Sequence, residues 1–412
     1  MKLTKLATAA ATGAILLQAA LPIFADTTLI ISSNGSDTEN EVEVSNRSTT
    51  TVVQENNTQV SNQINVKAET GDNEAEDNTG GDVSIETGDA KVDVQVKNEV
   101  NSNVAEVETC GECAGDTEVE ISGNGSGSEN EVELKDMSET EVYQTNVAEI
   151  LNEVKVDAKT GDNEAEDNTN GDVKIDTGDA TVKVLSDTKA NMNMASIGGS
   201  GDGGSVKLLI ANNGSDSDNE IELGLRRETL LAQDNLTAIG NLFDLEAETG
   251  DNEAEDNTGG EVEIETGNAL VDATVKNWAG FNYADLGCCV LEDILAKIVG
   301  NGVDSENEIE AWLKDETEVF QGAESETGFE NGLELEVETG DNEVEDSTQG
   351  DGEDPIIDTG DGEAKVMVSN EGSTNVLGDL SDWEMPEWDF GGWDFSFSFD
   401  FSDFLAWLGS QA

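Results

Sequence analysis

The segment TGDNEAEDN occurs three times, at residues 70–78, 160–168 and 249–257, and a varied copy, TGDNEVEDS, stands at 339–347. The leading glycines, Gly71, Gly161, Gly250 and Gly340, are spaced by 90, 89 and 90 residues. Two further markers keep the same order. NGSDTENEVEV and its variants begin at Asn34, Asn124, Asn213 and Asn301, and a lone glutamine after an apolar pair falls at Gln54, Gln144, Gln233 and Gln321. A chain with such a period is built from copies of one supersecondary unit. The copies run 26–116, 117–206, 207–294 and 295–380. The fourth is degenerate and suits a capping role: Pro355 replaces Val83, Val173 and Val262 and removes a ladder donor.

Inside a copy the apolar pattern has period two, as in Val42 and Val44, Val83 and Ile85, or Val92, Val94 and Val96. That is the signature of short, half-buried strands, and clusters such as Gly71-Asp72-Asn73 and Thr79-Gly80-Gly81-Asp82 punctuate them as turns. The stretch 225–245 looks helical in isolation, yet it aligns without gaps with the strand-like 46–66, so strand is expected there. The fold class is therefore all-β, a tandem-repeat β-solenoid. The alternatives are a string of four immunoglobulin-like β-sandwiches, for which 90 residues is a natural size, or a largely disordered chain. Between Asp26 and Leu242 the only aromatic residue is Tyr143, and a sandwich core normally holds several. Small residues and recurrent Asn and Gln favour the solenoid, where identical side chains stack and buried amides bond along ladders. Four or five short rungs per copy are expected, giving a rod of roughly 80–100 Å at about 4.8 Å per rung.

The net charge of −73, from 92 acidic and 19 basic residues, disfavours nucleic acid and anionic lipid as partners. There is no histidine, hence neither the commonest general base nor the commonest transition-metal ligand. No nucleophile–base pair or phosphate loop stands out, and no enzymatic activity is expected. Lys2, Lys5 and the apolar run up to Phe24 read as a secretory signal over residues 1–25. No later segment is apolar enough to span a membrane as a helix. Sequons stand at Asn34, Asn46, Asn56, Asn124, Asn213 and Asn235, and there is no LPxTG-type sorting motif.

Three constellations are candidates for function. The acidic turns place Asp72, Asp77 and Asp82 in copy one, Asp162, Asp167 and Asp172 in copy two, Asp251 and Asp256 in copy three, and Asp341 and Asp346 in copy four. Carboxylates mixed with Asn oxygens and turn carbonyls suit Ca²⁺, although the spacing is not that of an EF-hand loop. The alternative is a solvated acidic face. Cys110, Cys113, Cys288 and Cys289 suit disulfides in an exported chain. With several rungs per copy the two pairs would lie roughly 40 Å apart, which leaves local Cys110–Cys113 and Cys288–Cys289 bonds or links between molecules. Finally, Trp393, Phe395, Phe397, Phe399 and Phe401 alternate with polar residues in the tail 381–412 and form one aromatic face. It suits a docking strand or a cap over the solenoid end.

The units around Gly71, Asn73 and Ala75, and around Asn40, Val42 and Gln54, resemble the glycine, asparagine and glutamine pattern of curlin-type β-solenoid repeats. The longer T-G-D-N-x-A-x-x-N-T-G-G unit is similar to repeats of secreted bacterial proteins. The unit here is about four times longer than curlin's and far more acidic. The resemblance implies a secreted solenoid that assembles or adheres. The expected function is thus a secreted cell-surface structural or adhesive protein, with the cell envelope, other surface proteins or further copies of itself as partners. The alternative is a Ca²⁺-binding or mineral-associated extracellular module.

Overall fold

A computed structural model of the chain describes residues 2–10, 14–20, 27–108, 116–198, 205–287, 294–322, 326–348 and 354–378. The four cysteines and the aromatic face of the tail lie outside the described residues. The chain divides into two compact units, Met1–Val376 and Leu377–Ala412, and the first of these carries the repeats.

Every copy folds into the same series of strands. In the first they are Thr27–Ser32, Glu39–Gly71, Glu74–Glu76, Val83–Glu86 and Ala90–Glu108. The second has Thr117–Ser122, Glu129–Gly161, Glu164–Glu166, Val173–Asp176 and Ala180–Gly198, and the third repeats this from Val206–Ala211 to Ala269–Gly287. In the fourth the long strand is split into Glu306–Gln321 and Glu326–Gly340, and Ile356–Asp358 starts just after Pro355. The described residues contain no helix, and the stretch 225–245 lies within the strand Asp218–Gly250.

Among the described residues of the four copies, all pairing is parallel and between copies. Asn40 pairs with Asn130, Asn130 with Asn219 and Asn219 with Asn307; Gly71, Gly161, Gly250 and Gly340 likewise form one column. The fold is therefore a β-solenoid, and separate sandwiches are excluded. One expectation is corrected: each copy supplies a single rung. The strands of one copy lie side by side in a layer, and the next copy stacks on it residue for residue. The stack of four coils thus rises only about 14 Å at some 4.8 Å per step, in place of the long rod anticipated.

Within a layer the long strand folds against its neighbours sheet to sheet. Gln54 Nε2 donates to the Val104 carbonyl at 2.8 Å, Asn56 Nδ2 to Asn103 Oδ1 at 2.8 Å and Asn62 Nδ2 to Asn98 Oδ1 at 2.9 Å. The second half of Glu39–Gly71 therefore runs opposite to Ala90–Glu108. Between them pack Val66, Ala68, Ala90, Val92, Val94 and Val96, continued by their counterparts in the other coils. A second core joins Ile31 to Val42 and Val44, and a third fills the turn with Ala75, Val83 and Ile85. Val, Ile, Leu and Ala suffice because each apolar residue is covered by its own copy above and below as well as from across the layer. The end coils lack one cover: Val119 and Leu208 are 0% exposed, but their first-coil counterpart Leu29 is 37% exposed.

The N-terminal stretches Lys2–Ala10 and Ala14–Ala20 also pair in parallel with Ala90–Glu108, Lys2 opposite Lys91 and Ala14 opposite Ser102. This 89- to 88-residue offset nearly equals the repeat, so the segment forms part of an additional layer on the outer edge of the first coil. Among the described residues no helix is long and apolar enough to cross a membrane.

Candidate functional site

Three features of the stack bear on function: the buried amide ladders, the acidic rows along the turns, and the two open faces where the stack ends.

Asn56, Asn146 and Asn235 of the long strands and Asn103, Asn193 and Asn282 of the facing strands form a double column. Asn103 Nδ2 donates to Asn193 Oδ1 at 3.0 Å, Asn146 Nδ2 to Asn235 Oδ1 at 3.1 Å, and Asn193 Nδ2 to both Asn282 Oδ1 and Asn235 Oδ1 at 3.0 Å. Asn103, Asn146 and Asn193 are fully buried. A glutamine column runs with the opposite polarity: Gln144 donates to Gln54 at 2.6 Å, Gln233 to Gln144 at 2.7 Å and Gln321 to Gln233 at 2.8 Å. A primary amide has both donor and acceptor on one planar group, so it satisfies itself when repeated along the stacking axis. The glutamine marker in the sequence thus fixes the stacking register. The strand asparagines were a weaker signal, carried only by the general recurrence of Asn.

The ten candidate metal ligands divide by role. Asp72, Asp162, Asp251 and Asp341 have φ between 51° and 53°, and Asp77, Asp167, Asp256 and Asp346 between 44° and 55°. These are left-handed turn positions, which Asp and Asn tolerate better than most residues. Their backbone N–H groups reach the next coil, as Asp72 N–H does to the Gly161 carbonyl and Asp77 N–H to the Glu166 carbonyl, both at 3.2 Å. Asp82 and Asp172 accept instead: Asp172 N–H donates to Asp82 Oδ1 at 3.3 Å and Glu261 N–H to Asp172 Oδ1 at 3.0 Å. Each carboxylate is stacked one coil from its own copy. Among the described residues no three carboxylates, thiols or imidazoles come together closely enough to hold a metal ion.

What the rows create is crowded negative charge. Glu74, Glu164, Glu253 and Glu343 form one column, and Glu76, Glu166, Glu255 and Glu345 the next but one. The second column titrates high throughout. A hydrogen bond shared with Glu74, then repulsion from its carboxylate, raises Glu76 to about 7. Glu345 is raised in the same way by Glu343, whereas Glu166 and Glu255 are raised first by burial and then by neighbouring acids. A group whose pKa is higher in the fold than in the open chain lends stability below its ordinary value near 4.5, and that stability is lost as the pH rises through the raised value, about 7 for Glu76. The protein is therefore expected to melt at a higher temperature at pH 5 than at pH 8. Added salt should narrow the gap by screening the rows. Thermal melts followed by circular dichroism check this, and a higher melting temperature at pH 8 in low salt would contradict it.

Some charge is compensated between coils. Lys159 donates to Asp251 at 2.8 Å and to Glu248 at 3.1 Å. Burial works against the Lys159 ammonium, but these two carboxylates outweigh it and hold it protonated. On the strands facing the amide columns the sign alternates: Lys183 lies between Asp93 and Asp272, and Asp187 between Lys97 and Lys276.

Glu108 and Gly287, which precede the two cysteine segments, end strands two coils apart, about 10 Å by rung spacing. The expectation of roughly 40 Å assumed several rungs per copy; the cysteines themselves lie outside the described residues. Comparison with known protein families, with curated proteins and with solved structures yields no match for this chain.

Proposed function

We propose that the chain is a secreted structural or adhesive component of a cell surface, a stiff stacked-layer scaffold with an acidic exterior. The observation that carries this is the buried amide column through all four coils, which ties every layer to the next by side chains as well as by backbone. Such cross-linking suits a load-bearing surface element. Residues 1–25 read as an export signal, which agrees with a surface location. Immunogold labelling of intact producing cells tests the assignment. Label on the outer surface is expected, and label confined to the cytoplasm would refute it.

A second reading has its own support in the acidic columns. Carboxylates repeated at about 4.8 Å, with Glu76 raised to about 7 by its neighbours, gain most from a divalent cation shared along a row. Calorimetric titration with Ca²⁺ at physiological ionic strength should then show saturable uptake and a raised melting temperature. Heat no larger than that of a matched monovalent salt would dismiss it.

A further inference from the structure

We infer that the open face of the fourth coil binds the open face of the first coil of a second copy, so that molecules stack head to tail in the register that joins their own coils. The inference rests on the structural role proposed above and adds its partner and its control.

The asparagine column of the acidic turn ends unsatisfied. Asn73 donates to Asn163, Asn163 to Asn252 and Asn252 to Asn342, at 2.9, 2.7 and 2.8 Å. Asn342 Nδ2 is buried and has no hydrogen-bond partner. In the repeating register its acceptor is Asn73 Oδ1 of a following copy. Core columns end in the same manner: Ile175 and Ile264 are 0% exposed, while Ile357 at the end of their column is 43% exposed.

Charge distinguishes this junction from general stickiness. Twelve outward residues of the first coil, the odd positions from Ser45 to Lys67, include one acid, Glu55, and two bases, Arg47 and Lys67. The matching row of the fourth coil holds Glu316, Glu318, Glu326, Glu330, Glu334 and Glu336 with one base, Lys314. By register these six glutamates would meet Thr49, Thr51, Asn57, Ser61, Asn65 and Lys67, every one a hydrogen-bond donor. First-coil residues already serve second-coil carboxylates in this way: Gln59 Nε2 donates to Glu149 and Gln63 Nε2 to Glu153, both at 3.0 Å. Phe320 would cover Val53, and both are exposed.

The facing strand agrees. The Asn277–Asn370 and Asn282–Asn375 bonds set a 93-residue offset, which puts Lys365 beside Asp272 and Glu363 beside Leu270. The sequence Asp93, Lys183, Asp272, Lys365 thus alternates in sign, and Asp93 of a second copy would continue it. Glu363 would meet Lys91. Some contacts oppose stacking. Glu306, Glu308 and Glu310 would face Glu39, Glu41 and Glu43, as their counterparts already do within the chain, so assembly should need screening salt. Pro355 also withdraws one backbone donor.

The N-terminal strands supply the control. Lys2–Ala10 and Ala14–Ala20 occupy the edge of Ala90–Glu108 that the fourth-coil strand Gly362–Leu377 of another copy would take. Residues 1–25 must leave before a second copy can dock. The four coils pair among themselves without these strands.

The test compares the full chain with one cut at a protease site engineered between Ala25 and Asp26, by light scattering and electron microscopy at physiological ionic strength. The full chain should stay small and the cut chain should grow linear stacks. Two variants separate docking from folding. Glu336→Lys with Glu363→Lys relieves Glu336 of its stacked neighbour Glu246 but turns the junction repulsive towards Lys67 and Lys91. Gly340→Ala has open space within its own chain, but in the stack its Cβ would meet Gly71 of the next copy. Each should retain a β-type dichroism spectrum and lose at least about tenfold in assembly. Mixing the Glu336→Lys, Glu363→Lys protein with a Lys67→Glu, Lys91→Glu protein should restore growth. A folded, cut chain that stays monomeric, or stacks indifferent to these charges, would overturn the inference. Surface-labelled but monomeric protein would remove stacking alone, whereas stacking by a protein found only in the cytoplasm would remove the surface role alone.

Discussion

Gly161→Ala should lower stability by roughly 3 kcal/mol or more, an unusually large effect for one methyl group. Gly161 has φ +132°, and a Cβ there would lie 1.7 Å from the carbonyl oxygen of Gly250 in the next coil. That oxygen accepts the Asp162 N–H bond at 3.2 Å, so relief requires two coils to part at the turn. Gly340 has a similar φ of +146° but nothing within 4 Å of the same added atom. Gly340→Ala therefore reports backbone strain alone. Urea unfolding of the two variants side by side separates the terms. Equal losses would show that conformation, and not the stacking contact, requires glycine in the T-G-D-N turn.

Asn193→Leu should cost about 3 kcal/mol although it exchanges side chains of similar size. Asn193 is 0% exposed; it donates to Asn235 and Asn282 and accepts from Asn103 and Asn146. Leucine removes these bonds, and those from Asn193 Nδ2 to the Asp234 and Gln144 carbonyls, and leaves amides on both flanking coils partly unsatisfied in a dry interior. The exposed Asn57→Leu, on the outer side of the neighbouring strand, should stay within about 0.5 kcal/mol. Chemical denaturation of both variants checks the contrast. A small effect at Asn193 would mean that the amide column is incidental to coil stacking.

The strands and turns were legible in the sequence because period-two alternation reports which side of a strand is buried. Val42 with Val44, and Val92 with Val94 and Val96, occupy the cores that pattern predicts. Alternation carries no information on whether successive strands stack on one another or lie side by side in one layer, and there the expectation of several rungs per copy failed. The missed signal was chemical. Gln54, Gln144, Gln233 and Gln321 can bond as a column only if each copy lies directly on the last, so the spacing of the glutamines is itself the length of one coil.

The acidic turn was legible as a turn, but the backbone role of its aspartates was not. Asp72 and Asp77 look like ligands in composition, but their positive φ assigns them a backbone task, and sequence does not reveal φ. The open-face charges were readable only after the register was known, because Glu336 and Lys67 become counterparts solely through pairing with Glu246 and Asp157.

The central claim is that one repeat makes one rung. Spin labels at Gln59, Glu149 and Ala238, with the native cysteines replaced by serine, test it most directly. These exposed positions form one column, so labels should sit about 5 Å apart and give a single exchange-narrowed line in the continuous-wave spectrum of dilute protein. If each repeat held several rungs, the labels would be roughly 20 Å apart, and resolved hyperfine lines without spin exchange would contradict the stacked-layer fold.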